Sequence, residues 1–122
     1  MLSLPASVRI FLCIEVTDMR RGFDGMAAMV TEFLKDDPLS GHMFVFRNRR
    51  RDSVKILYWD RDGYALWYKR LEKGTFKFPS VTSSRSRRVE VKASDLMMLL
   101  DGVDLRSVRR EKRYARAHLL SP

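Results

Sequence analysis

Apolar side chains occupy every second position of residues 8–16, the first strongly patterned segment of the chain. They are Val8, Ile10, Leu12, Ile14 and Val16. Successive side chains of a strand point to opposite faces, so this alternation predicts a β-strand with one wholly apolar face. Cys13, the chain's single cysteine, lies within the same apolar run. This setting predicts a buried structural thiol rather than a nucleophile.

The next segment has the spacing of an amphipathic helix. Its apolar stripe consists of Met19, Phe23, Met26, Ala27, Val30, Phe33 and Leu34. Such a stripe predicts a long helix from Asp18 to Lys35, with Thr17 as its N-cap. Gly22 and Gly25 lie inside the pattern, where each costs roughly 1 kcal/mol relative to alanine. They indicate either a neighbouring backbone packed closely against that turn or a helix that begins later than Thr17.

Short segments typical of strands follow the helix. They are Met43–Arg47, Ser53–Trp59, Tyr64–Leu71 and Thr75–Phe78. Asp60–Gly63 ends in Asp-Gly, a pair that supplies the positive φ angles of a tight hairpin turn. Lys73 and Gly74 form a weaker second turn signal. The series predicts an antiparallel meander.

The remaining part of the chain adds one strand and one helix. Residues 79–88 are rich in Ser and Arg and predict a loop. Val89–Lys92 is typical of a short strand, and Ser94 is a plausible N-cap for a helix over Leu96–Leu100 that ends near Gly102. The predicted fold class is α+β. An antiparallel sheet of five or six short strands is packed by one long N-terminal helix, and a short C-terminal helix closes one edge.

Charge divides the chain unequally. Lys and Arg number 24 against 15 Asp and Glu, a formal charge of +9, and all but four of the basic residues follow residue 40. An excess of this size favours a polyanionic partner, nucleic acid first. A single domain over residues 1–105 and a basic tail over residues 106–122 are expected.

Several other classes of protein are disfavoured by the sequence. His42 and His118 lie far apart, so no zinc motif is visible and no metal or cofactor is expected. The apolar run near the N-terminus is interrupted by Arg9 and Glu15, which is unlike a signal peptide. No stretch has the apolar length of a transmembrane helix, so we expect no membrane contact and a cytoplasmic location.

Ordered blocks of this sequence resemble a known family. They are Thr17–Gly25, Asp37–Phe46, Arg47–Asp52, Ile56–Asp60, Lys69–Gly74, Phe78–Pro79 and Leu99–Asp104. The pattern is similar to that of the TnpB accessory proteins, or Orf2-like proteins, of the insertion-sequence-sixty-six group of transposable elements. Two features depart from it: Leu105 stands where the family usually has Trp, and the tail is long and basic. The resemblance implies a protein encoded beside a larger transposase, needed for transposition and without known catalytic residues.

Basic residues of the later segments are the candidate nucleic-acid contacts, because guanidinium groups match phosphate oxygens in a bidentate manner. These candidates are Arg47, Arg49, Arg50, Arg51, Lys55, Lys69, Arg70, Arg85, Arg87, Arg88, Arg109, Arg110 and Arg113. The alternative is a solvated turn, loop and tail without a ligand.

Aromatic residues interleave with these charges. They are Tyr58, Trp59, Tyr64, Trp67 and Tyr68. Exposed rings on a sheet could stack on unpaired bases, as in single-strand binders. Core packing is the alternative, and it is the more common role of strand aromatics. Alternation allows only one subset of these rings to be exposed.

Asp18, Arg20, Arg21 and Asp24 form a charged cluster at the start of the predicted helix. The helix dipole disfavours arginine there, so the cluster predicts either local ion pairs or contact with a protein partner. The family resemblance implies that this partner is the transposase encoded by the same element.

The sequence therefore predicts a non-catalytic DNA-binding accessory protein of transposition. No converging carboxylates or nucleophile–histidine arrangement indicates an enzyme. Two alternatives remain: a module that contacts the transposase without binding DNA, and a small ribonuclease of the toxin type.

Overall fold

The computed structural model describes residues 7–79 and 87–102. Five strands and two helices are present in these ranges. The strands are β1 (Ile10–Val16), β2 (Met43–Arg47), β3 (Ser53–Asp60), β4 (Gly63–Arg70) and β5 (Arg88–Val91). The helices are α1 (Phe23–Ala28), which continues as a π-helical turn (Met29–Phe33), and α2 (Ala93–Leu100).

The five strands form one mixed sheet in the order β4-β3-β2-β1-β5. β1 pairs with β2 in parallel, from Ile10 opposite Met43, whereas the other neighbours are antiparallel. The prediction of an antiparallel sheet was therefore wrong. The helical connection between β1 and β2 returns the chain to the end of the sheet where β1 begins, so the two strands run in the same direction.

The prediction of a long N-terminal helix was also wrong. Helical structure begins at Phe23 rather than Asp18, with Gly22 as the N-cap. Thr17 instead extends the pairing of β1, because its amide donates to the Arg47 carbonyl at 2.9 Å. The helical segment is therefore short, and the later start is the second of the two alternatives that the glycines indicated.

Each face of the sheet carries an apolar cluster, because the central strands are buried on both sides. One cluster packs Leu96, Leu99 and Leu100 of α2 against Ile10, Leu12, Val45 and Ile56. The other packs Met26, Val30 and Leu34 against Phe11, Cys13, Phe44, Phe46 and Leu57. α2 thus covers a face of the sheet rather than closing an edge, and Cys13 is buried as expected.

Two local predictions about the hairpin region had different outcomes. Asp60 and Gly63 pair across the β3–β4 turn as expected, although the positive φ of 55° falls on Arg61 rather than on the glycine. The predicted strand Thr75–Phe78 is not a strand. Phe76 is fully buried, and its amide donates to the Arg51 carbonyl at 2.7 Å, which fixes this segment beneath the β2–β3 loop.

Candidate nucleic-acid interface

A shallow groove of about 520 Å³ opens beside the end of the β3–β4 hairpin, on the α1 face of the sheet. Three segments that are distant in sequence form its walls: the segment after β1, the β2–β3 loop and the end of β4. Its lining residues are Val16, Thr17, Asp18, Met19, Asn48, Arg49, Arg50, Asp52, Ser53, Tyr68 and Arg70.

Side-chain hydrogen bonds hold the β2–β3 loop in one shape. The Asn48 amide nitrogen donates to Asp52 Oδ1 at 2.6 Å, and the Ser53 backbone amide donates to Asn48 Oδ1 at 3.0 Å. The bond from Asn48 lowers the pKa of the Asp52 carboxyl. Because the ends of the loop are fixed in this way, Arg49 and Arg50 at its tip are held out in solvent.

Arg47, at the start of the same basic run, contacts other parts of the fold rather than the groove. Its side chain is half-buried, its Nη2 donates to the Ile14 carbonyl at 3.1 Å, and its guanidinium carbon lies 5.7 Å from the Phe78 ring centroid. Burial, followed by the neighbouring charge of Arg51, lowers the pKa of this guanidinium. Arg51 is exposed next to the groove with a φ of 61°.

Lys55 is buried beneath the groove rather than displayed on the surface. Its Nζ donates to the Met19 carbonyl at 2.5 Å and to the Arg21 carbonyl at 2.8 Å. The same nitrogen lies 4.8 Å from the centroid of the Tyr68 ring. Lys55 therefore joins the segment between β1 and α1 to the sheet, and its charge does not add to an exposed basic surface.

Tyr68 differs from the other aromatic residues of the hairpin. Tyr58 and Trp67 pack against the cluster under α2, and Tyr64 packs against the cluster under α1. Trp59 makes an edge-on contact with Tyr64, with ring centroids 5.1 Å apart. Tyr68 is 49% exposed and lines the groove. Of the candidate stacking rings, the structure leaves this one accessible at the site.

Lys69 and Arg70, the two basic residues at the end of β4, have different surroundings. Lys69 donates from Nζ to the Leu100 carbonyl at 3.3 Å, where it meets the negative end of α2. Arg70 is exposed and lines the groove beside Tyr68.

The charged cluster before α1 contains a local ion pair. Arg20 Nη2 lies 2.7 Å from Asp18 Oδ2 at the surface, and the Arg20 backbone amide also donates to Asp18 Oδ1. These contacts lower the pKa of Asp18 to about 2. Arg21 Nη1 donates to the Gly25 carbonyl at 3.4 Å, and Asp24 is exposed in the first turn of α1. Only Asp18 of the four lines the groove.

Two of the remaining basic candidates, Arg87 and Arg88, are described by the structure and lie away from this site. Arg87 and Arg88 lie at β5, on the opposite edge of the sheet. Arg87 Nη1 donates to the Phe33 carbonyl at 2.8 Å, and Arg88 forms an ion pair with Asp36. Both guanidinium groups therefore already make contacts within the fold. Arg85, Arg109, Arg110 and Arg113 lie outside the described residues, as does the predicted tail.

Some groove residues were not among the sequence candidates. Asn48, Asp52 and Ser53 line it through the hydrogen bonds that shape the loop. An Asn four residues before an Asp, within a basic run between two strands, is a signal that could have identified a fixed turn.

A comparison with protein families identifies the chain. The family model described as IS66 Orf2 like protein matches residues 8–110, a range that includes every groove residue. The chain belongs to the IS66 Orf2-like family. This confirms the family suggested by the ordered sequence blocks, and membership implies a role in the transposition of IS66-type insertion sequences.

Two curated relatives of this IS66 Orf2-like protein come from Sinorhizobium fredii. The uncharacterized protein y4hO is 38% identical over 106 residues, which are 87% of this chain and 90% of the relative. The uncharacterized protein y4jC is 34% identical over 111 residues, which are 91% and 92% of the two chains. No solved structure matches the chain.

The described part of this IS66 Orf2-like protein lacks two kinds of feature. Within residues 7–79 and 87–102, no group of three or more His, Cys, Asp or Glu side chains could hold a metal ion. No helix in those ranges has the length and apolar character needed to cross a membrane.

Proposed function

We propose that this IS66 Orf2-like protein is an accessory factor of transposition that binds DNA without catalysis, and that Arg49, Arg50 and Arg70 contact the DNA backbone. One observation carries the proposal. These three exposed guanidinium groups surround a single groove, and none of them forms an ion pair with a carboxylate of the described residues. A cation without a carboxylate partner is available to a phosphate.

The contrast with the other cations supports this choice of residues. Arg47, Lys55 and Arg87 donate hydrogen bonds to backbone carbonyls, and Arg88 pairs with Asp36. Withdrawing one of these groups would leave a carbonyl or a carboxylate without its donor, which costs free energy. The side chains of Arg49, Arg50 and Arg70 make no such bond among the described residues, so the proposal rests on these three.

The test is a binding titration with a fluorescently labelled DNA duplex at several salt concentrations. We expect the double variant Arg49→Glu/Arg50→Glu to bind at least about tenfold more weakly than the wild type. In Arg49→Gln/Arg50→Gln, the slope of log affinity against log salt should fall by about 0.9 for each phosphate that the variant no longer neutralises.

A control of equal charge change is provided by Arg61→Glu/Lys35→Glu. Both residues are exposed and outside the groove, and Arg61 lies at the opposite end of the β3–β4 hairpin. We expect this control to weaken binding by less than about twofold at physiological salt, where the Debye length is about 8 Å. Equal weakening by both pairs would reduce the effect to net charge and overturn the groove assignment.

One observation favours a second candidate function, contact with the transposase of the same element. Phe23 at the start of α1 is 49% exposed, and Arg20 and Asp24, which are close to it in sequence, are also exposed. An exposed ring among charged groups is a common feature of protein contact surfaces. Failure of the wild-type chain to bind duplex or single-stranded DNA at low salt would overturn the DNA proposal and favour this alternative.

A further inference from the structure

We propose that the groove receives an unpaired nucleobase, which stacks on Tyr68 while the adjacent phosphates contact Arg49, Arg50 and Arg70. The DNA that uses the whole groove is then single-stranded or locally opened, whereas an intact duplex contacts only the arginines. This inference rests on the proposed function and specifies the form of DNA that the site takes.

The first argument is the position of the Tyr68 ring. It is 49% exposed in the groove, and the Lys55 ammonium lies 4.8 Å from its centroid. Lys55 is itself buried and fixed by two backbone carbonyls. A ring on a strand with a fixed neighbour loses little freedom when a base stacks on it, so stacking costs little ordering entropy.

The second argument is the mixed polarity of the groove. Asp52 lies among the arginines, and both of its described side-chain bonds, from Asn48 and Ser53, go to Oδ1. Neither of these two bonds uses Oδ2. A carboxylate repels phosphate but accepts hydrogen bonds from the N–H groups of unpaired bases, such as cytosine N4 or thymine N3. An intact duplex would place phosphates against this wall, whereas an unpaired base would present its edge.

The third argument is size. The groove volume of about 520 Å³ lies within the range of roughly 300–1,000 Å³ that is usual for small-molecule sites. Its open shape allows the strand to continue in both directions past the base. An aromatic platform within a cationic groove is the arrangement by which single strands are bound with little sequence preference.

The experiment compares two probes, a labelled oligothymidine and a blunt duplex of equal length, on the full-length chain. Tyr68→Ala should weaken binding of oligothymidine by roughly tenfold, the scale of one base–aromatic stack. It should change duplex binding by less than about twofold, because a paired base cannot reach the ring. Tyr68→Phe should bind both probes as the wild type does.

Phe23→Ala is the matched control, because Phe23 is also 49% exposed but lies outside the groove. It should leave binding of both probes unchanged. Thermal unfolding of each variant checks that the fold is retained.

The outcomes separate this inference from the proposed function. Suppose that Arg49→Glu/Arg50→Glu binds both probes more weakly while Tyr68→Ala binds both as the wild type does. The groove then binds only the DNA backbone, so the stacking inference is overturned and the proposed function is not. Equal weakening of both probes by Tyr68→Ala overturns it as well, because the ring then acts structurally. If neither variant changes either affinity, both proposals fail.

Discussion

At the scale of single residues, the surroundings of each cation decide its role. Arg49 and Arg50 extend from a fixed loop into solvent, whereas Arg47, two positions earlier, donates to a backbone carbonyl. The sequence indicated a run of basic residues here, and their contact with nucleic acid stays a prediction. It could not assign the roles, because a run of arginines carries no information about which guanidinium meets a carbonyl of a distant strand.

Asp18 provides a prediction about pH. Its hydrogen bonds from Arg20 lower its pKa from 3.8 to about 2. A carboxyl whose pKa is lower in the folded state stabilises that state above its unfolded pKa, near 4, and this contribution is lost as the pH falls towards 2. An NMR titration of the Asp18 carboxyl carbon should have its midpoint at about pH 2 in the wild type.

The variant Arg20→Gln should raise that midpoint towards 3.8, because the largest cause of the shift is removed. Arg21→Gln is the control, since Arg21 acts on Asp18 only through a weaker charge interaction. A midpoint that stays near its wild-type value in Arg20→Gln would contradict the pairing.

At the scale of elements, the alternation of apolar and polar residues predicted where the strands lie but not which strands pair with each other. β1, β2, β3 and β4 were found close to their predicted bounds, because burial of one or both faces imposes a period of two. The apolar stripe of the N-terminal helix included the buried Met26, Val30 and Leu34, but it also included the exposed Phe23 and did not give the start of the helix. Thr17 is used in pairing with β2, and Gly22 has the N-cap position. Thr75–Phe78 has strand composition, yet its backbone bonds to a loop.

Lys55 gives a prediction at this scale, because it links the segment between β1 and α1 to the sheet. Lys55→Met keeps the apolar stem but leaves the Met19 and Arg21 carbonyls without this donor. We expect the free energy of unfolding to fall by on the order of 2 kcal/mol, the usual cost of unsatisfied buried polar groups. Urea denaturation followed by circular dichroism measures this change.

Lys69→Met is the matched control on the neighbouring strand. Lys69 is exposed and donates to one carbonyl, that of Leu100. Its loss should cost less than about 1 kcal/mol, because solvent replaces the bond. Similar losses in the two variants would contradict the anchoring role of Lys55.

At the scale of the whole molecule, the features that sequence reasoning missed are those that join distant segments. The parallel β1–β2 pair and the β1–β5 pair depend on tertiary contacts, whereas periodicity identifies only faces. The groove brings Asp18 together with the Arg49–Arg50 loop, which the sequence treated as parts of two separate sites. Each was predicted by composition, and their proximity follows from the order of the strands.

A truncation tests the dependence of the core on its last elements. A chain that ends at residue 79 lacks β5 and α2, and it exposes Ile10, Leu12 and other residues that pack against α2. We expect it to lose cooperative thermal unfolding, as followed by circular dichroism, because one of the two apolar clusters cannot form.

The control is a chain that ends at residue 105, the predicted domain boundary. It keeps both apolar clusters and should unfold in one transition. A sharp transition in the shorter chain would show that the sheet is stable without β5 and α2.

The position of β1 between β2 and β5 also has a consequence for biosynthesis. Ile10 is synthesised well before its partner Val91, because β2, β3 and β4 lie between them in the sequence. Until then the nascent chain carries an unfinished sheet with an open apolar edge, the kind of surface that chaperones bind and proteases cut. A premature stop codon in the region between β4 and β5 would therefore produce a fragment destined for degradation rather than a shortened working protein.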